Sequence, residues 1–343
     1  MASSAFGSWR STGAYGPLSN GIARVFRKEN IFLIDKYFYS KDLEVQHGGN
    51  TMRFVRFLQN GDEGLAIEET GSLTGLLAGD TRFPGRLDAL IATGADGLRQ
   101  AGAILRTGGP ISQNAISYLP PFTQSKKVLC VGLNYRDHSV ESGYKQPHYP
   151  TIFARFTSSL IGHRDAIIRP TVSETLDYEG ELVAVIGRGG SKIALDSALD
   201  HVAGYSIFND GSIRDYQHVT PQWTIGKNFD STGAFGPVFV TADELPPGCR
   251  GLTLETRLNG KVVQRANIDD MVFGVASLVS ILSQTMTLEP GDVIMTGTPS
   301  GVGAARTPPL FMKAGDVCEV EIERIGTLMN SVEDEVVQGS KAA

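Results

Sequence analysis

Residues 177–187 read DYEGELVAVIG. The continuous apolar run from Leu182 to Ile186, bounded by glycines, predicts a buried β-strand. Glu179 and Glu181 stand two positions apart at its start, and side chains at i and i+2 share one face of a strand. Two neighbouring carboxylates repel each other unless one is protonated or a cation lies between them. Such oxygen ligands suit Mg²⁺ or Mn²⁺, and the alternative is a solvated strand end with two exposed glutamates.

Further strand patterns lie on both sides of this stretch. Residues 127–133 (KVLCVGL) form another short apolar run, and 252–265 (LTLETRLNGKVVQR) hold two strands joined by an Asn-Gly pair, a strong hairpin signal. In 316–326 (DVCEVEIERIG) apolar and acidic residues alternate, which predicts a strand with one dry and one wet face. Helical spacing predicts two short helices within 84–108 and one helix at 269–286. The predicted class is therefore α+β and β-rich, without an alternating βαβ series.

The chain divides at two points. Met52 opens the strand-like stretch MRFVRFLQNG, and YLPPF at 118–122 is a proline-marked linker. Residues 1–28 hold four basic residues, five serines and no acidic residue, a composition typical of an organellar transit peptide. We expect a cytoplasmic location, or a mitochondrial one if this extension is a transit segment. The predicted segments are an N-terminal extension at 1–51 (a tail or targeting segment), a small N-terminal α/β domain at 52–120, a catalytic domain at 121–335 and a tail at 336–343.

Composition excludes several classes of protein. The chain has 31 Lys and Arg against 37 Asp and Glu, a net charge of −6, which argues against nucleic acid as a partner. No run of about 18 apolar residues occurs, so no membrane span is expected. Three widely spaced cysteines without a CxxC pair argue against a disulfide framework or a zinc finger. The motifs GxSxG and HExxH are both missing, so neither a serine hydrolase of the α/β type nor a zinc protease is supported.

A further acidic group ends another predicted strand. In residues 205–217 (YSIFNDGSIRDYQ), Asp210 follows an apolar run and precedes Arg214 and Gln217, which is typical of the rim of a site. The alternative is an ordinary Asp-Gly turn. Lys227 follows a short apolar stretch and could bind a substrate carboxylate, or it could lie at the surface with only its stem buried.

Two other motifs could contribute to a site. In residues 131–143 (VGLNYRDHSVESG), His138 and Glu141 lie three apart and would share one face of a short helix. A carboxylate beside an imidazole fixes its tautomer and raises its basicity, as in a general base, whereas an exposed ion pair is the alternative. The glycine-rich stretch 295–303 (MTGTPSGVG) lacks the lysine of a nucleotide-binding loop and predicts a tight turn offering N–H groups and the Thr298 hydroxyl to an anion.

Five motifs taken in this order closely resemble the fumarylacetoacetate hydrolase family. They are VGLNYRDH, DYEGELVAVIG, HVAGYSIFNDGSIRDYQ, GKNFDSTGAFGP and GDVIMTGTPSGVG. The resemblance covers residues 125–331 and extends to the small segment from Met52. The stretch RTPPLFMKAGDVCEVEIERIGTLMN, residues 306–330, is most similar to the fumarylacetoacetate hydrolase domain-containing 2 type.

The resemblance implies a mixed β-roll for the C-terminal domain, a homodimer and one divalent cation, Mg²⁺ or Mn²⁺, in each active site. It assigns roles to the following positions: metal ligands Glu179, Glu181 and Asp210; a catalytic dyad of His138 and Glu141 in a lid segment; the catalytic Lys227; and substrate-binding Gln217 and Thr298. We expect Arg214, from its place at the rim of the site, to bind substrate as well. Two positions depart from the family's pattern. Arg155-Phe156 stands where many acylpyruvate-cleaving members have Lys-Pro, and Tyr178 stands where His is frequent.

These implied roles predict an enzyme that acts on a small 2-oxo acid. Metal coordination would stabilise an enolate, and the dyad would activate water against a second carbonyl. We expect hydrolysis of C–C bonds in 2-oxo or 2,4-dioxo acids first, such as acylpyruvates or fumarylacetoacetate-like substrates. Oxaloacetate tautomerase or decarboxylase activity comes second, because both pass through the same enolate. Ureidoglycolate lyase and a non-catalytic, metal-stabilised dimer are further alternatives.

Overall fold

Short strands dominate the fold. The computed structural model describes residues 52–141 and 146–336, without the side chains of residues 138–140. The strands are β1 Arg53–Gln59, β2 Asp62–Glu69, β3 Ser72–Leu77, β4 Gly109–Ile111, β5 Ser117–Tyr118, β6 Val128–Gly132, β7 Thr151–Ala154, β8 Leu160–Ile161, β9 Ile167–Arg169, β10 Leu176–Asp177, β11 Gly180–Ile186, β12 Val202–Asp210, β13 Ser212–Ile213, β14 Gly233–Thr241, β15 Thr253–Leu258, β16 Lys261–Asn267, β17 Val293–Met295, β18 Val317–Ile322 and β19 Gly326–Asp334. The α-helices are α1 Leu87–Leu90, α2 Gly94–Leu105, α3 Arg136–Glu141, α4 Arg214–Gln217, α5 Thr224–Lys227 and α6 Val275–Thr285.

The largest sheet has twelve strands. Its main path runs β4-β3-β2-β1-β14-β12-β11-β17-β6-β7, with β5 paired to β1 and β8 paired to β14. Strand β11 lies near the middle of this path and every one of its residues is buried, as the continuous apolar run predicts. Most of the pairs are antiparallel, but β17 runs parallel to β6. The sheet is therefore mixed.

A second sheet of five strands packs against the first. Its order is β16-β15-β18-β19-β9, and β15 and β18 lie against β11 and β12 of the large sheet. A Cβ atom added at Gly180 would lie 2.3 Å from Thr256 Oγ1 and 2.9 Å from Val320 Cγ1, so the two sheets approach closely at this bare backbone position. Glycine thus allows the sheets to meet where the acidic motif begins.

The predicted hairpin and the alternating strand are both confirmed. Strands β15 and β16 pair antiparallel, and Asn259 and Gly260 connect them with positive φ values of 53° and 73°. Two positive φ values are what a tight two-residue turn of this hand requires. In β18, Cys318, Val320 and Ile322 are buried while the alternate residues are more exposed.

The helices follow the sequence pattern with one correction. Residues 87–105 form α1 and α2, joined by a 3₁₀ turn, as predicted. The helix predicted at 269–286 begins only at Val275, with Gly274 as its N-cap. Residues 268–270 form a separate 3₁₀ turn, closed by a capping box between Asn267 and Asp270. Among the described residues, none of the helices has the length and apolarity that a bilayer crossing requires.

The described residues all belong to one compact unit. Strand β1 pairs with β14, so the large sheet runs across the predicted boundary at residue 120. The division into 52–120 and 121–335 stays a prediction about folding units. The predicted extension at 1–51 and residues 337–343 of the predicted tail lie outside the described residues.

Candidate metal centre and active site

Strand pairing brings three predicted metal ligands together. In the β11–β12 pair Gly180 lies opposite Asn209, so Glu179 and Asp210 lie at the same end of the two strands. Glu181 shares the face of Glu179 because the two are separated by one residue. The carboxylates of Glu179, Glu181 and Asp210 each place an oxygen within 4.8 Å of the others, and all three residues are buried. This proximity agrees with the sequence prediction for the three residues.

Burial and mutual repulsion strain this cluster electrostatically. Burial, followed by the charges of Asp210 and Glu179, raises the pKa of Glu181 well above its usual value. Lys227 offsets part of the negative charge, since its Nζ lies 2.7 Å from Glu179 Oε2 and 2.7 Å from Asp210 Oδ2. Burial lowers the pKa of Lys227, but Asp210 and Glu179 outweigh it and raise the pKa overall. Lys227 is therefore a buried, charged side chain at the centre of the site rather than a surface lysine.

The donor set fits a hard divalent cation. All three candidate ligands are carboxylates, which Mg²⁺ and Mn²⁺ prefer. Glu181 Oε2 accepts a hydrogen bond from the Gly297 N–H at 2.8 Å, so this side chain is already oriented by the glycine-rich loop after β17. The buried acidic triad could thus hold a divalent metal.

The acidic cluster lies at one side of a cavity of about 310 Å³. Its polar lining consists of Glu141, Glu179, Glu181, Arg214, Gln217, His218, Lys227 and Thr298. Its apolar lining is Val131, Gly132, Leu133, Phe153, Trp223, Val302, Ala304 and Ala305. The cavity therefore brings together seven of the nine sequence-predicted site residues. Of the other two, Asp210 does not line it but contacts Lys227 and lies close to Glu179, and the side chain of His138 lies outside the described residues.

Arg214 spans the polar side of the cavity. Its Nη1 lies 2.6 Å from Glu179 Oε1 and donates to Gln217 Oε1 at 2.9 Å, while its Nε donates to Asp177 Oδ2 at 2.8 Å. Its Nη2 is buried and has no hydrogen-bond partner within residues 52–141 and 146–336. A buried N–H donor without a partner costs free energy, so this atom is suited to receive an oxygen of a bound anion.

The predicted Thr298 and Glu141 also line the cavity, Thr298 from the loop after β17 and Glu141 from the end of α3. Thr298 Oγ1 accepts a hydrogen bond from Gln264 Nε2 at 2.8 Å, which leaves its own proton available as a donor. Glu141 ends α3, and both of its carboxylate oxygens accept from the Gly301 N–H, at 3.0 and 2.9 Å. The backbone of His138 lies in the same helix, three residues before Glu141, as the sequence predicts.

Sequence reasoning assigned no functional role to several contributors to the site, among them Arg155, Asp177 and Trp223. Arg155 is fully buried and its Nη1 lies 2.5 Å from Asp210 Oδ1. Asp177 orients Arg214 and accepts from the N–H groups of Gly303 and Ala304. Trp223 forms part of the apolar wall. Signals existed for the first two, because Arg155 departs from the family pattern and Asp177 opens the acidic motif.

Comparisons with known proteins agree with this geometry. Residues 127–333, more than half of the chain, match the family described as fumarylacetoacetate (FAA) hydrolase C-terminal. The chain belongs to the fumarylacetoacetate hydrolase family. It is 40% identical over 290 residues to "Oxaloacetate tautomerase fahd2, mitochondrial" of Xenopus laevis, covering 82% of this chain and 90% of the relative. It is 44% identical over 211 residues to "Oxaloacetate tautomerase YisK" of Bacillus subtilis, covering 61% and 70%.

Solved structures give the same result. Fumarylacetoacetate hydrolase from Exiguobacterium antarcticum superposes with a TM-score of 0.73 at 36% identity, covering 83% of this chain and all of that one. The predicted membership of the fumarylacetoacetate hydrolase family, and of its domain-containing 2 type, is confirmed. So is the predicted β-rich fold class. The chain is thus a member of an enzyme family whose neighbours include proteins named as tautomerases and hydrolases.

Proposed function

We propose that this fumarylacetoacetate hydrolase family protein is a divalent-metal-dependent oxaloacetate tautomerase. The observation that carries the proposal is the cavity itself, which is lined by Glu179 and Glu181 of the buried carboxylate triad and by Arg214, whose buried Nη2 has no partner among the described residues. A site with a place for a cation at one end and a guanidinium nearby suits a short acid with two carboxylates. The names of two relatives support the same reaction.

The three acidic residues would hold Mg²⁺ or Mn²⁺, which supplies Lewis-acid stabilisation of the enolate oxygen when bound. Arg214 Nη2 and Gln217 would hold one substrate carboxylate through charge-assisted hydrogen bonds. Thr298 would donate its hydroxyl proton to a second substrate oxygen. Lys227 keeps the acidic cluster compact and places a positive charge beside the developing oxyanion.

The proton transfer falls to Glu141 and His138. Keto–enol conversion removes one proton from C3 of the substrate and adds one to the oxygen at C2. The product therefore has the same atoms as the substrate, and the reaction needs neither water nor an oxidant. Glu141 lines the cavity and is held there by Gly301, which gives it the position of a general base or of the group that orients His138. This step needs no hydrolytic water.

Hydrolysis of a C–C bond in an acylpyruvate is the second candidate. The sequence placed it first, and the solved structure of a protein named fumarylacetoacetate hydrolase supports it. It would use the same enolate, with His138 activating a water molecule against the second carbonyl. Oxaloacetate decarboxylation would also pass through that enolate. The tautomerase proposal ranks ahead because the relatives that match most of the chain carry that name.

The test compares these reactions on one preparation of the full chain with Mg²⁺ or Mn²⁺. Enol decay of oxaloacetate, release of CO₂ from oxaloacetate, cleavage of acetylpyruvate and breakdown of ureidoglycolate are followed in parallel. We expect tautomerisation to have the highest kcat/KM and to fall by about 100-fold or more in Glu141→Gln, since 100-fold is the lower end of the usual range for a proton-transfer group. Asp215→Asn, in a side chain bonded to Ser173 and Thr175, serves as the matched control. Faster acetylpyruvate cleavage would favour the hydrolase, and no turnover at all would favour a non-catalytic protein.

We also propose that the protein is a homodimer and that its residues 1–51 direct it to mitochondria. The first proposal rests on the family resemblance, and the second on the acid-free composition of residues 1–28 and on the names of relatives called mitochondrial. Light scattering after gel filtration tests the dimer. A fluorescent protein fused after residue 51 tests the targeting, and a cytoplasmic signal would contradict it.

A further inference from the structure

A chain of hydrogen bonds lies behind the loop that holds Glu141. The Tyr178 hydroxyl donates to the Gly301 carbonyl oxygen at 3.0 Å. Arg306 Nε donates to the Tyr178 oxygen at 3.0 Å and to the Gly301 carbonyl oxygen at 3.1 Å. On its other side, the Gly301 N–H donates to both carboxylate oxygens of Glu141. As the structure describes the cavity, neither Tyr178 nor Arg306 lines it, so neither is placed to touch a substrate.

The backbone of Gly301 connects the two sets of hydrogen bonds, because its carbonyl accepts from Tyr178 and Arg306 while its N–H donates to Glu141. Its φ is +102°, in the region that favours glycine, and an added Cβ would lie 2.2 Å from the Val263 carbonyl oxygen. The same Val263 carbonyl accepts from Arg306 Nη2 at 2.5 Å. Because the N–H and the carbonyl of one residue are linked through its φ and ψ angles, fixing the Gly301 carbonyl also fixes the direction of its N–H.

We propose that Tyr178 and Arg306 are positioning residues that hold the Gly301 N–H against Glu141 and thereby fix the Glu141 carboxylate at the cavity. The part that concerns turnover rests on the proposed function, in which Glu141 takes part in proton transfer. The hydrogen-bond link itself does not depend on the reaction. A proton acceptor must lie within hydrogen-bond reach of the proton it removes, so a loosened Glu141 would transfer protons more slowly.

The variant Tyr178→Phe removes one hydroxyl and keeps the buried ring. We expect kcat for oxaloacetate tautomerisation to fall by about 10-fold with little change in KM, the equivalent of one hydrogen bond that matters in the transition state. Tyr118→Phe is the matched control, since its hydroxyl donates to Gln113 and has no hydrogen bond to Gly301. Arg306→Lys should also lower kcat for oxaloacetate tautomerisation. This second variant tests the proposal if Tyr178→Phe folds poorly.

A double-mutant cycle separates positioning from a general structural role. Glu141→Gln alone removes the group on which Tyr178 acts, so adding Tyr178→Phe should change kcat by less than twofold. A merely structural effect of Tyr178 would persist in the Glu141→Gln background. A further 10-fold loss in the double variant would therefore overturn the proposal.

Hydrogen exchange measured by mass spectrometry gives a readout independent of activity. Loss of the anchor should speed amide exchange in peptides covering residues 297–305 and 136–141 of Tyr178→Phe, with no change in the Tyr118→Phe control. Unchanged exchange in both peptides would overturn the inference even if the enzyme is active. If the wild-type protein shows no oxaloacetate turnover but exchange is still faster in Tyr178→Phe, the hydrogen-bond link is supported and only the proposed function is overturned.

Discussion

The guanidinium of Arg155 lies 2.5 Å from the carboxylate of Asp210, and both side chains are fully buried. Arg155 also donates to the Gly211 carbonyl at 3.1 Å and to Thr232 Oγ1 at 2.8 Å, so its planar group is fixed on several sides. It therefore holds Asp210 Oδ1 and leaves Oδ2 to Lys227. A group that orients a candidate metal ligand in this way should influence metal affinity without contacting the metal.

Shortening Arg155 should weaken metal binding. We expect Arg155→Lys to lower the affinity for Mn²⁺ by about 10-fold and Arg155→Met by about 100-fold, the range found when an outer partner of a metal ligand is lost. Lysine keeps the charge but loses the fork that reaches several acceptors at once. Isothermal titration calorimetry with Mn²⁺ measures the change.

Arg56→Lys provides the control for this series. Arg56 is also a buried arginine, paired with Glu63 and Asp88, but it lies in the N-terminal strand β1. The Arg56→Lys variant should leave the affinity for Mn²⁺ unchanged even if it lowers the free energy of unfolding. Equal Mn²⁺ affinity in wild type, Arg155→Lys and Arg155→Met would contradict the role assigned to Arg155.

Neutralising Glu181 should have opposite effects on the metal-free and metal-loaded protein. Glu181→Gln keeps the acceptor for Gly297 and removes a carboxyl group that burial and two neighbouring carboxylates disfavour as an anion. The metal-free variant should be at least as stable as wild type. Wild type should gain about 2.7 kcal/mol at an Mn²⁺ concentration 100 times the Kd, and the variant should gain little at the same concentration.

Thermal unfolding with and without Mn²⁺ tests this pair of effects. The matched control is Asp292→Asn, which neutralises a buried carboxylate that binds Lys127 and lies outside the triad. That control should lose stability equally with and without metal. A Glu181→Gln protein that gains as much from Mn²⁺ as wild type would argue against the triad as a metal site.

Local pattern was sufficient for much of the fold. The burial of β11, the Asn-Gly hairpin and the alternation in β18 each depend on residues close in sequence, and each appears as predicted. The start of α6 was placed six residues early because Met271 continues the apolar spacing. In the structure Gly274 caps the helix, and the preceding acidic residues form their own turn.

Contacts between residues far apart in sequence limited how much of the site could be predicted from local sequence patterns. The shared face of Glu179 and Glu181 follows from strand geometry, but the arrival of Asp210 depends on the register between β11 and β12. The family resemblance supplied that third residue. Arg155 reaches Asp210 across 55 positions of sequence, and no local spacing encodes such a contact.

Trp223 should limit the size of substrate. Its ring packs on the bare backbone of Gly132, where an added Cβ would lie 2.2 Å from Trp223 Cζ3, and it contacts Phe153 edge-on at 5.6 Å between ring centroids. Trp223→Leu should open this apolar wall. We expect the kcat/KM for phenylpyruvate tautomerisation to rise about 10-fold relative to that for oxaloacetate, a change of about 1.4 kcal/mol in transition-state binding.

Both substrates undergo keto–enol conversion, so the ratio reports on pocket size rather than on a different reaction. Phe156→Leu is the control, because Phe156 is 56% exposed and does not line the described cavity. It should leave the ratio unchanged. An unaltered ratio in Trp223→Leu would show that another part of the cavity selects the substrate.

His163 should make the protein sensitive to mild acid. Burial, followed by the charge of Arg164, lowers the pKa of His163 from 6.5 to about 4. The geometry agrees with a neutral ring, since Nδ1 accepts a hydrogen bond from the Met329 N–H at 3.0 Å and could not do so when protonated. The folded state therefore binds a proton less readily than the unfolded state.

The sign of the pH dependence follows from this difference. Between pH 6.5 and 4 the unfolded chain takes up a proton that the folded chain does not, so the free energy of unfolding falls as the pH falls. The contribution is fully present above pH 6.5 and amounts to about 3 kcal/mol at most, from a shift of this order. His163→Asn keeps an acceptor near the Nδ1 position and cannot take up the proton, so its stability should decline less over this range. Urea unfolding at pH 7.5, 6, 5 and 4.5 measures the difference, with His148→Asn at an exposed position as control. Parallel declines for wild type and His163→Asn would mean that His163 is not the group responsible.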